Sequence, residues 1–109
     1  MIKIVLTIFL LYGFACLYLY LKQRDLMYFP TAEKIHMNAD VWWLETERER
    51  LKIWTIDNSD SAESPAIIYF GGNAEAVEDN ISDYRRLFPG FTIYVLNYRG
   101  YGGSTGVAN

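Results

Sequence analysis

Two stretches, Ala66-Ile67-Ile68-Tyr69-Phe70-Gly71-Gly72-Asn73-Ala74 and Phe91-Thr92-Ile93-Tyr94-Val95-Leu96-Asn97-Tyr98-Arg99-Gly100-Tyr101-Gly102-Gly103-Ser104-Thr105-Gly106, carry the fold. Each starts as a short apolar run bounded by turn residues, the pattern of a buried strand. Between them Val77, Ile81, Tyr84, Leu87 and Phe88 recur at helical spacing. Glu78, Asp79, Asp83, Arg85 and Arg86 occupy the other sides. This predicts an amphipathic helix of about three turns. Acidic residues early and arginines late suit its dipole, and Pro89-Gly90 ends it. Strand, helix and strand at this spacing make a βαβ unit, so the sheet is expected to be parallel here.

Upstream, Leu51 to Ile56 is rich in β-formers, with Leu51 and Ile53 alternating about Lys52. Val41 to Leu44, with two adjacent tryptophans, reads as a strand or an aromatic plug. The mixed charges of Glu45 to Arg50 read as a solvated strand or turn. Asp57 to Pro65 is a polar linker, and Thr31 to Asn38 a loop. Ile4 to Leu21 contains no charged residue. That run reaches the lower length limit of a membrane-spanning helix. Tyr12, Tyr18 and Tyr20 suit interfacial anchoring, and Lys3, Lys22 and Arg24 bracket the run. A retained signal anchor is the expectation, with a cleaved signal peptide and a buried core helix as alternatives. Lys3 with the terminal amine is matched by Lys22 and Arg24, so charge gives the segment little orientation. Three parts are expected: an anchor over 1–22, a juxtamembrane segment over 23–40 and an α/β domain over 41–109.

The chain has 109 residues and a net charge of -3. That length suits one small domain, and the acidic balance gives no footprint for nucleic acid. Cys16 is the only cysteine, which excludes an intrachain disulfide and a cysteine-based metal cluster. His36 is the only histidine and reads as solvated or capping. Neither a metal nor another cofactor is expected.

Gly71-Gly72-Asn73-Ala74 sits where a strand turns toward a helix. Backbone N–H groups in such a turn can hold a developing oxyanion or a phosphate; a plain strand-to-helix turn is the alternative. The P-loop pattern is absent. Gly102 to Gly106 spells G-x-S-x-G, but a nucleophile elbow needs a strand directly before the serine and a helix directly after it. Tyr98 to Tyr101 intervene before Ser104, and three residues after Gly106 make no helix. Ser104 is therefore not expected to be a nucleophile. The dinucleotide fingerprint fails as well, because Thr105 stands where its third glycine is required.

With these motifs in order, the chain resembles the N-terminal part of membrane-anchored α/β-hydrolases. Tyr28-Phe29-Pro30 resembles their Tyr-x-Pro segment. Gly71-Gly72-Asn73-Ala74-Glu75 stands in place of His-Gly-Asn-Ala-Gly, and Tyr98 to Gly106 matches Tyr-Arg-Gly-Tyr-Gly-x-Ser-x-Gly. The resemblance implies a partial hydrolase sheet whose fourth strand lies between the second and third. It implies oxyanion donors at the N–H groups of Asn73 and Ala74, supported by Gly71 and Gly72. It makes Tyr98, Arg99, Gly100, Tyr101 and Gly102 part of a loop beside the site. Gly71 replaces a histidine that props the oxyanion loop, and Glu75 replaces a glycine. That glutamate either brings charge toward the oxyanion or faces solvent at the helix start.

In the family's order the nucleophile, acid and histidine follow the last of these motifs. The expectation is an N-terminal portion of a hydrolase of esters, thioesters or amides, inactive by itself. It would be a fragment, a degenerate frame or a subunit completed by a missing C-terminal portion or partner chain. One alternative is a membrane-anchored, non-enzymatic interaction module using Trp42, Trp43 and Trp54. Another is nucleotide binding at the Gly71-Gly72 turn.

Overall fold

The computed structural model describes residues 1–35, 38–59 and 61–108. Helix α1, Ile2–Met27, is long and apolar enough to cross a membrane and buries none of its residues. It runs past the uncharged stretch, through Lys22, Gln23, Arg24 and Asp25, so the first part of the expected juxtamembrane segment is helical. Its last turn closes with the Tyr28 N–H donating to the Arg24 carbonyl. Pro30 follows and cannot extend it.

Four strands form one mixed sheet: β1 (Asp40–Glu45), β2 (Arg50–Asp57), β3 (Ala66–Phe70) and β4 (Thr92–Leu96), in the order β1-β2-β4-β3. β1 pairs antiparallel to β2, with Trp42 opposite Ile53. β2 pairs antiparallel to β4, with Trp54 opposite Val95. β3 and β4 are parallel, with Tyr69 beside Val95, as the strand–helix–strand spacing requires. The charged run between β1 and β2 is a hairpin turn. Thr46 Oγ1 accepts the N–H of Glu49 at 3.0 Å and donates to the Glu49 carbonyl at 2.9 Å. Arg50 pairs with Glu45 at 2.7 Å and lies over the Trp43 ring.

The helical segment is shorter than its periodicity suggests. Val77–Asn80 is a 3₁₀ turn, and only Ile81–Leu87, α2, is α-helical. Asn80, the N-cap of α2, makes no side-chain cap hydrogen bond, and its amide donates to Glu75. The 3₁₀ turn and α2 cover one face of the sheet. Trp54 and Ile56 of β2, Ile93 and Val95 of β4, and Val77 and Ile81 form the core there. Burying each aliphatic side chain stabilises by about 1.5–3 kcal/mol. Ile67, Tyr69, Tyr84 and Phe91 pack against its margin.

The opposite face has no helix over it among the described residues. β3, expected to be buried throughout, instead alternates, with Ile68 and Phe70 exposed on that face. Trp42, Leu44, Thr55, Ile68, Tyr94 and Leu96 help line a groove of about 680 Å³ there.

Candidate functional site

At the carboxyl ends of the parallel pair, the chain after β3 and the chain after β4 enclose a cavity of about 460 Å³. Gly71 and Asn73 come from the first loop, Tyr98, Arg99 and Tyr101 from the second, and Met27 and Tyr28 from the end of α1. Ends of parallel strands are where α/β sheets place ligands, because loops diverge there and leave a crevice.

The first loop is held by Glu75. Its carboxylate accepts the Gly72 N–H at 2.5 Å, the Tyr69 hydroxyl at 2.8 Å and the Asn80 amide at 2.8 Å. The charge therefore turns back into the loop rather than out to solvent. Ala74 adopts a left-handed conformation with φ 65°, which costs a residue with a Cβ about 1–2 kcal/mol. Gly71 has a packing reason: a Cβ there would collide with Val77 Cγ1. The larger side chain of the resembling motif does not fit with Val77 in the core.

Gly72 spends its N–H on Glu75, whereas the N–H groups of Asn73 and Ala74 donate to no group among the described residues. Asn73 lines the cavity; Gly72 and Ala74 do not. The Asn73 side chain makes three hydrogen bonds. Its amide donates to the Met27 carbonyl at 2.7 Å, and its Oδ1 accepts the Tyr101 hydroxyl at 2.7 Å and the Phe29 N–H at 3.2 Å. One residue thus ties α1, the oxyanion-type loop and the glycine loop together. The sequence singled out Asn73 for its backbone only. Its side-chain role had no local signal, although the Tyr28-Phe29-Pro30 motif marks the segment it binds.

The second loop folds back along β2. Ser104 Oγ accepts the Lys52 N–H at 2.8 Å and donates to the Asn97 carbonyl at 2.8 Å. Thr105 Oγ1 accepts the Arg50 N–H, and the Thr105 N–H returns to the Arg50 carbonyl. Residues 97–108 form turns, with neither strand nor helix adjoining Ser104. Gly102, at φ 52°, lies against Asn97, and a Cβ there would strike the Asn97 amide. Gly100 and Gly102 shape the loop without lining the cavity, whereas Tyr98, Arg99 and Tyr101 line it. Arg99 is drawn to Glu49 at 3.2 Å.

Ala108 also lines the cavity, and nothing in the sequence marks it. His36 lies outside the described residues. No group of three or more His, Cys, Asp or Glu that could hold a metal is found among the described residues. Among other ionisable groups, Tyr84 is pushed above the usual phenol range, first by partial burial and then by the neighbouring Tyr69 hydroxyl.

In chemical terms the cavity offers an uncommitted backbone N–H, tyrosine edges and a guanidinium already paired. These can hold a small polar or anionic group against an apolar wall. Compared with protein families, curated proteins and solved structures, the chain matches none.

Proposed function

We propose that this chain carries the membrane anchor and the oxyanion side of a serine-hydrolase site of the α/β-hydrolase kind. The observation that carries the reading is the cavity at the carboxyl ends of β3 and β4. There Asn73, with an unspent backbone N–H, faces the same space as Tyr98 and Tyr101. Two further features support it. β4 lies between β2 and β3, the order that the resemblance implies. α1 is long and apolar enough to cross a bilayer.

In this reading Asn73 N–H, helped by Ala74 N–H, stabilises the oxyanion formed when an ester, thioester or amide carbonyl is attacked. Such donors act because they are fixed before charge develops. They generate no nucleophile. The attacking serine, its acid and its histidine come from residues other than these, in the same polypeptide or in a partner. The resting N–H groups alone turn nothing over.

The test is activity-based labelling of the native protein. Native membranes are treated with a fluorophosphonate, and the protein is captured with an antibody against residues 41–109. Label on a serine outside these residues supports the reading. Label on Ser104, or none on the captured protein, overturns it.

A further inference from the structure

The end of α1 does not hang from a flexible linker. Met27 is bonded through its carbonyl to Asn73, and the Phe29 N–H is shared between Asn73 Oδ1 and the Tyr101 hydroxyl, each at 3.2 Å. Around this junction lies an apolar rim: Met27, Tyr28 and Tyr98 line one cavity, Phe70 stacks on Tyr98, and Phe29 follows Tyr28. Phe70 and Tyr98 stack at 6.4 Å between ring centroids, and Tyr98 meets Tyr101 edge-on at 6.3 Å. Met27, Phe29 and Phe70 are more than half exposed, and Tyr98 is 40% exposed. An apolar edge this open on a water-facing domain needs a partner.

We propose that this rim is a landing surface for lipid headgroups, seated in the interfacial layer of the bilayer that α1 spans. The proposal rests on the reading of α1 as a spanning helix. Leu21 ends the uncharged run, and Met27 lies six residues further on, about 9 Å at helical rise. The headgroup layer extends about 5–7.5 Å beyond the hydrocarbon on each side. The rim therefore falls at the outer margin of the headgroups, and the hydrogen bonds to Met27 and Phe29 leave no slack to lift it away. Its composition fits that layer: the tyrosines have an apolar ring and a polar tip, and no rim residue is charged. A soluble partner would have to displace lipid already beside the end of α1.

The experiment places a nitroxide on the full chain in phosphatidylcholine vesicles. Collisions are measured with oxygen, which enriches in the bilayer, and with a water-soluble nickel complex. The native Cys16 reports on α1; it lies about 7.5 Å inside Leu21 at helical rise. On a Cys16→Ala background, Phe29→Cys and Tyr98→Cys report on the rim, and Ser61→Cys, in the exposed β2–β3 loop, is the aqueous reference. The expected result is several-fold lower nickel access at both rim labels than at the Ser61→Cys label, unchanged when protein is diluted into excess lipid. Rim labels as nickel-accessible as the Ser61→Cys label, with the Cys16 label still protected, overturn the landing surface and leave the spanning helix intact. Protection lost on dilution assigns the rim to contact between copies and also overturns it. Nickel access at Cys16 itself removes the spanning helix and the proposal together.

Discussion

Ser104 shows how a motif's letters and its chemistry part company. Its hydroxyl replaces a strand neighbour for β2, taking the Lys52 N–H and giving its proton to Asn97. A nucleophile needs its oxygen exposed beside a base, whereas this oxygen is enclosed between two backbone groups. We predict that Ser104→Ala destabilises the domain by at least about 1–3 kcal/mol, the cost of one buried backbone group left unpaired, since two lose this partner. Chemical denaturation of the chain in detergent micelles would measure it, and an unchanged midpoint would show that water replaces the hydroxyl without cost. Glu78 presents the opposite case. It is 1% exposed, and neither carboxylate oxygen has a hydrogen-bond partner among the described residues. Removing a polar group of that kind relieves a desolvation penalty. Glu78→Leu is therefore expected to raise the unfolding midpoint, equivalent to about 1–3 kcal/mol. A lower midpoint would mean that the carboxylate has a partner when the chain is in its native setting.

Among the elements, the strands were legible because their pattern is local. Leu51 and Ile53 alternate about Lys52, Phe91 to Leu96 is a short apolar run bounded by turn residues, and Pro89-Gly90 separates the helix from β4. The length of the helix was not legible. Periodicity counted Val77 and Ile81 on one face, but Glu78 is buried too, which a regular helix beginning at Val77 with a solvated acidic side does not anticipate. The loop is instead tightened by Glu75 reaching back to Gly72, Tyr69 and Asn80, contacts that depend on where β3 ends. For the same reason the backbone of Asn73 could be read from a motif, while its side chain's grip on Met27 could not.

Tyr84 then fixes α2 to β3 through Tyr69, with ring centroids 5.1 Å apart. Its phenol is raised above its ordinary value of 10.0, chiefly by burial. The folded state thus holds the proton more tightly than the unfolded chain. The stabilising contribution is complete below pH 10 and is lost as pH rises from there toward the folded value. Tyr84→Phe should flatten the alkaline side of a stability-versus-pH curve relative to the native chain. Parallel curves above pH 10 would remove Tyr84 as the cause.

On the scale of the whole chain, the long axis of 77 Å is divided between α1 and the sheet. Twenty-six residues at helical rise account for about 39 Å. Since α1 buries nothing, cohesion rests on a four-stranded sheet with a core on one face. The other face leaves Trp42, Leu44, Ile68 and Phe70 exposed, and β3 is an open edge beside them. A sheet with an apolar face and an unpaired edge is prone to association. Ile68 is the informative position. It is 64% exposed, lies on the edge strand and is not part of the core cluster. A lysine there costs little packing and places a charge where another sheet would approach. We predict that Ile68→Lys leaves the unfolding midpoint nearly unchanged and shifts the detergent-solubilised chain toward monomer in light scattering. The contrast with Ile93, 1% exposed on the covered face, is the control: Ile93→Lys should unfold the domain. If Ile68→Lys unfolds the domain as Ile93→Lys does, the outer face is packed in the native state and the open-face reading fails.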